Sequence, residues 1–248
     1  MPENTCAHIK NAEFCGSGFD QNMQMLDEAF GYCNENFGHE KIISALCCGN
    51  DLKKQICIIE LNCINNQAEA DLLMFHLTEH SGPLRESASF KILELIQNDK
   101  YRRFFQTKSI YDIMLKSVTD INPAVSRNAC GIIKYADDAE YILNGLISAL
   151  NKAFEESENT KKQHAYTVNK KNFGIYWNLE ALSSAAAKAG ILKRSAFVLA
   201  AVEKAAAAND YTVREKAAKA ACAYKLENIV NMLKSDNNMY VRMQASEC

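Results

Sequence analysis

The chain is poor in helix breakers, with three prolines and ten glycines in 248 residues. Long stretches are therefore free to be helical. Alternating runs of β-branched residues, the mark of half-buried strands, are missing as well. No apolar run is long enough to span a bilayer, so no membrane partner is expected. Met1 to Asp20 is polar and interrupted, without the continuous apolar core of a secretory signal. There is no glycine-rich phosphate loop, no nucleophile elbow and no acid–base pair at a recognisable spacing. The expectation is a cytoplasmic all-α protein with no catalytic residues and no cofactor.

What is present begins with cysteine. Cys6, Cys15, Cys33, Cys47, Cys48, Cys57 and Cys63 crowd the front quarter, and only Cys130, Cys222 and Cys248 follow. No CxxC pair occurs, and a helical chain of this length needs no staples, so reduced thiols are expected, several as small core residues. Cys6, His8, Cys15 and Cys33 match no common zinc spacing, and no metal site is expected.

The net charge of -2 is unevenly distributed. Residues 1–150 hold 13 Lys and Arg against 20 Asp and Glu, while 151–248 hold 15 against 10. The basic C-terminal half leaves nucleic acid as a possible partner. Tyr101-Arg-Arg-Phe-Phe105 interleaves basic and aromatic residues and is expected to be a helix start with its phenylalanines inward.

The segment Asp210-Tyr-Thr-Val-Arg-Glu-Lys-Ala-Ala-Lys-Ala-Ala-Cys-Ala-Tyr224 organises the rest. Asp210 can cap a helix, and Val213, Ala217, Ala220, Ala221 and Tyr224 share one small-residue face. The same frame recurs with its first apolar residue at Leu52, Leu84, Val125, Ile175, Val213 and Val241. Helices between these starts are expected at Ala68–Glu79, Ser109–Val118, Asp138–Phe154, Ile191–Ala208 and Leu226–Lys234. Ahead of them, residues 1–19 read as a loose leader and 20–37 as a helix stopped by Gly38, with a short helix at His39–Cys48. Residues 20–248 form one array, interrupted by a long polar insertion at about 155–172, expected to be a disordered or partner-binding loop.

Asp210-Tyr-Thr-Val-Arg-Glu-Lys-Ala-Ala and Asn238-Met-Tyr-Val-Arg-Met-Gln-Ala, with looser copies at Ser81–Ala88 and Asn122–Ala129, resemble HEAT repeats of the short bacterial type, shared with phycobilin lyases. The resemblance implies a right-handed α-solenoid of about six helical pairs. It also implies an inter-repeat ladder in which Asp210 pairs with Arg214, and Arg85 and Arg242 act likewise. Second helices of such pairs line the concave surface. With positions zero, four, seven and eleven buried, positions two, three and six face outward. The expected partner-binding residues are Phe90, Arg127, Asn128, Trp177, Asn178, Glu215, Lys216 and Lys219, with Ile58, Ala181 and Met243 at equivalent positions. That face suits a protein or peptide, which makes the chain a scaffold or adaptor. Trp177-Asn-Leu-Glu-Ala-Leu-Ser183 is also faintly similar to HEAT-like alkylpurine DNA glycosylases, whose Trp is followed one turn later by an Asp. Ala181 stands at that position, with Glu180 beside it and Arg214 as the downstream arginine. The alternative function is therefore a nucleic-acid-binding relative without the catalytic Asp. A hydroxylase of this repeat type would need several His-Glu pairs, and only His39-Glu40 is present, with Glu79-His80 reversed.

Overall fold

The computed structural model describes residues 38–158, 165–190 and 195–248, with Asp27, Gly31 and Tyr32 as isolated positions. The leader, most of the first expected helix and the centre of the insertion lie outside the described residues. Among the described residues the chain is all-α, with no strand and no helix long and apolar enough to cross a membrane. It forms two compact units, one ending at Ile113 and the other beginning at Met114.

The first unit contains α1 (His39–Cys48), α2 (Asp51–Glu60) and α3 (Gln67–Phe75), which a 3-10 turn extends over His76–Thr78. It continues with α4 (Gly82–Ile96) and α5 (Asp99–Arg102), and α6 (Lys108–Ser117) runs across the boundary. α2 packs on α1 and α4, and α3 packs on the same two helices. Gly38 precedes α1 as its N-cap. Asn50 caps α2 by accepting from the Lys53 amide at 2.9 Å. Within α2 the expected burial phase fails, because Cys57 and Ile58 are buried while Ile59 is exposed. Four consecutive apolar residues, Ile56 to Ile59, fit more than one helical phase, and the core selects Ile58 together with Leu61 and Ile64.

The second unit contains α7 (Pro123–Ile133), α8 (Ala139–Glu158), α9 (Ala165–Ala185) and α10 (Ala196–Ala206). It ends with α11 (Tyr211–Tyr224), α12 (Glu227–Leu233) and α13 (Met239–Ser246). α7, α9, α11 and α13 pack side by side in that order, and α8, α10 and α12 form a second row. α11 touches α9 and α13 within its own row and α10 and α12 from the other. That is why Ala217, Ala218, Ala220 and Ala221 are all fully buried: only small side chains let four helices approach one. The expected frame holds here, with Val125, Ala129 and Ile132, then Ile175, Leu179 and Leu182, then Val213, Ala217 and Ala220 in the core. The insertion is not one loop. Its first residues extend α8 to Glu158, and Ala165 to Asn172 open α9.

The turns share one construction. Asn98, Asn122, Asp210 and Asn238 are N-caps whose side chains accept from the amide two residues on. Four residues after the cap position an arginine folds back: Arg85, Arg102, Arg214 and Arg242 each donate to the two carbonyls six and five residues earlier. These carbonyls follow a helix end and have no helical partner, so the guanidinium satisfies them with charge-assisted bonds. Ser126 makes a reduced version, donating to Asp120 O at 2.9 Å. Asn98-Asp-Lys-Tyr-Arg102 is a copy that the sequence frame did not include.

The expected ladder is corrected in its partners. Asp210 does not pair with Arg214 by hydrogen bond; its carboxylate takes Thr212 N, Thr212 Oγ1 and, at 2.6 Å, Asn172 Nδ2 from α9. Arg214 instead grips Asp236 of the following turn through Nε at 2.7 Å and Nη2 at 3.0 Å. Both contacts join neighbouring helices of one row. Asp236 is held below its ordinary carboxyl range by the Arg214 hydrogen bond, which outweighs its burial.

Cys222 and Cys248 are joined in a disulfide with Cα atoms 5.3 Å apart, which overturns the expectation of reduced thiols for this pair. The reason is proximity: α11 and α13 pack together, and Cys248 follows α13 directly.

α11 ends in a Schellman arrangement, with Leu226 N bonded to Ala221 O at 2.9 Å and Lys225 N to Cys222 O at 3.1 Å. Lys225 adopts φ 58, the left-handed conformation that a Cβ disfavours. Lys225→Gly is expected to raise unfolding stability by about 0.5–1 kcal/mol in urea titration, part of the relief being offset by the freer unfolded glycine.

Candidate functional site

The residues expected to line the outward face of the α7, α9 and α11 row divide into two groups. Arg127 is exposed, and Asn128, Glu215, Lys216 and Lys219 are half-exposed. Trp177 and Asn178 are not surface residues: their exposures are 8% and 2%. Ala181 is likewise buried. The physical cause is that α9 is packed by α7, α8 and α11, so its outward arc is narrower than the frame assumed. In the first unit Phe90 on α4 is exposed at 57%.

What the second unit brings together is a charged cluster over a buried aromatic. Glu180 on α9 meets two lysines one turn apart on α11, Lys219 Nζ at 2.5 Å and Lys216 Nζ at 2.9 Å. Residues three apart on a helix share a face, so the Lys216–Lys219 spacing lets both reach one carboxylate. Lys216 Nζ also lies 4.6 Å from the centroid of Tyr176. Beneath this, Trp177 meets Phe173 and Tyr176 edge-to-face, with centroids 6.0 and 5.3 Å away. The Cys130 thiol of α7 points to Trp177 O at 3.8 Å. Asn178 Nδ2 donates to Gly174 O at 2.9 Å, while Asn178 Oδ1 and the Trp177 indole nitrogen have no hydrogen-bond partner among the described residues.

The electrostatics follow from that layout. Burial pushes the Glu180 carboxyl up, but hydrogen bonds from Lys219 and Lys216, reinforced by both charges, hold it below its ordinary range. Burial pulls the Lys216 ammonium down, and the Glu180 contact more than restores it. Burial, helped by the nearby Glu180 charge, pushes the Cys130 thiol up to about 12, so it stays protonated at neutral pH and is not a nucleophile. Glu180 is an ionised carboxylate, its Oε1 hydrogen-bonded by Lys219 and its Oε2 held by the Lys216 charge at 2.9 Å, a poor proton acceptor. Arg214, the downstream arginine of the glycosylase resemblance, is committed to Asp236 and to its own turn. The site presents paired charges and an aromatic edge, with the Glu215 carboxylate half-exposed beside them.

No protein-family model matches the chain, and no curated protein matches it. A solved structure described as the crystal structure of an engineered protein is similar over 84% of this chain and 93% of that one, with 12% identity and a TM-score of 0.49. Likeness at that level carries no argument about the site, which rests on its own geometry.

Glu180 was the residue the frame missed. It falls next to the outward positions, and its role becomes visible only when α9 and α11 are placed side by side. Glu180→Gln is expected to lower stability by about 1–2 kcal/mol at pH 7, a modest figure because Lys219 is partly solvated. A carboxyl lowered on folding stabilises above its unfolded value of 4.5 and loses that contribution as pH falls further. The gap between wild type and variant in urea should therefore close between pH 5 and pH 3.

Proposed function

We propose that the helical pairs of this chain form a HEAT-like α-solenoid and that it works as a non-catalytic binding module for a protein or peptide. Its contact face is the outward side of α7, α9, α11 and α13. The observation that supports this reading is the pairing of Glu180 with Lys216 and Lys219, which neutralises much of the local positive charge. A phosphate-binding groove needs free cations along its length, whereas alternating paired charge with scattered apolar anchors suits a polypeptide. Arg127 at one end of the row and Met243 at the other are exposed at equivalent frame positions. Met243 supplies an adaptable apolar contact. Trp177 supports the face from below and is not the anchor itself.

Site-specific photo-crosslinkers test the assignment. Placed at Arg127 or Met243 they should capture one identifiable protein, and a crosslinker at Phe197, exposed on α10 of the other row, should not. With that partner purified, Lys219→Glu should weaken binding about ten-fold, roughly 1.4 kcal/mol. Equal capture from Phe197, or unchanged affinity in Lys219→Glu, contradicts the proposal. Duplex DNA binding that collapses between about 50 and 200 mM salt would install the nucleic-acid reading in its place.

A further inference from the structure

The first unit holds a second constellation, unrelated to the proposed binding face. Cys63 lies in the connection between α2 and α3, half-buried, with Leu61 and Ile64 on either side anchored in the core. His39, the first residue of α1, sets Nδ1 3.7 Å from Cys63 Sγ. Its other nitrogen, Nε2, lies 3.0 Å from Glu69 Oε2 on α3. Asn65 Nδ2 is 2.8 Å from the same nitrogen. A ring nitrogen cannot donate to a carboxylate and accept from an amide at once. The charged carboxylate makes the stronger bond, so Nε2 carries the proton and the Asn65 amide turns its oxygen to the ring. Nδ1 is then the lone-pair nitrogen, and it faces the thiol.

The support behind this set is rigid. Glu69 is the third residue of α3, and its oxygens also accept from Asn65 N at 2.8 Å and Asn66 Nδ2 at 3.0 Å. Asn66 caps the same helix by accepting from Glu69 N at 3.0 Å. The carboxylate is thereby fixed against the imidazole before any ligand arrives. The N-cap of α1 is Gly38, which makes no side-chain cap hydrogen bond at the end where His39 stands. Among the described residues no group of three or more His, Cys, Asp and Glu is placed to hold a metal ion.

A thiol, an imidazole that can take its proton and a carboxylate that orients the imidazole are the parts of a nucleophilic acyl-transfer site. We propose that Cys63, His39 and Glu69 form such a site, through which the chain takes an acyl group from an activated ester or thioester. The Cys63 Sγ–carbonyl carbon bond forms as the bond from that carbon to the leaving oxygen or sulfur breaks. The thiol proton passes to His39 Nδ1 and from there to the leaving group. No oxidant or reductant is involved, and the acyl-thioester is discharged by water or an amine. The assignment stands whether or not the binding face takes a protein.

The test uses the full chain and p-nitrophenyl acetate. Native protein should release one equivalent of p-nitrophenolate in a burst, with the acetyl group found by peptide mass spectrometry on Cys63. In the same sample Cys63 should be acetylated at least about ten-fold faster than the exposed Cys47 and Cys48, and unfolding in urea should erase that preference. Cys63→Ser should abolish the burst, His39→Gln should slow it at least about ten-fold, and Cys47→Ser should leave it unchanged. Acetylation of native Cys63 no faster than of Cys47 and Cys48 overturns the proposal, and this comparison requires no variant to fold. A folded His39→Gln that reacts at the wild-type rate overturns it equally.

Discussion

A guanidinium folded back onto the turn that precedes its own helix is the contact on which the described architecture depends. Each helix in these units must end, reverse and restart within a few residues, leaving carbonyls with no helical partner. Arg85, Arg102, Arg214 and Arg242 each satisfy two of them. Each arginine takes one part-buried and one exposed carbonyl, and bonds from a charged donor are stronger than those from a neutral one. The contact also fixes the direction in which the next helix leaves. Arg214 adds a second task, since the same side chain holds Asp236 in the following turn. Local turn geometry and the spacing of adjacent helices are then set by one residue.

With spacing set, the side chains between helices have to be small. The alanines of α11 are the consequence, and they bring α9 close enough for Glu180 to reach both lysines across the groove. The charged face and the packed core beneath it are two results of one close approach. The Trp177 ring fills the space under the cluster, where a smaller residue would leave a cavity.

The parts legible in the sequence were those governed by local rules. The recurring frame predicted the starts of α2, α4, α7, α11 and α13 within a residue or two, whereas α9 begins at Ala165, ten residues before the frame's Ile175; the burial phase of α7, α9 and α11 followed from helical periodicity. Leu52 to Ile59 was illegible because four successive apolar residues carry no phase. Trp177 and Asn178 were misplaced because a single frame cannot show how many neighbours crowd one helix. The charged cluster was half legible: Lys216 and Lys219 were expected together, but their carboxylate lies about forty positions away in another helix. Cys63, His39 and Glu69 left no sequence signal at all, being joined only where α1, α3 and the intervening connection meet. The copy at Asn98–Arg102 could have been found, had Tyr been allowed in the Val position.

The central claim, that one arginine couples a turn to its neighbour, is tested most directly by a double-mutant cycle on Arg214 and Asp236. Urea unfolding of Arg214→Ala, Asp236→Ala and the double variant at pH 7 gives the interaction free energy. A partly buried bidentate pair should show coupling of about 1–3 kcal/mol, with Arg214→Ala the costlier single change because it also releases Ala208 O and Asn209 O. Additive effects, with both single variants close to wild type, would mean that the helices find their spacing without this contact.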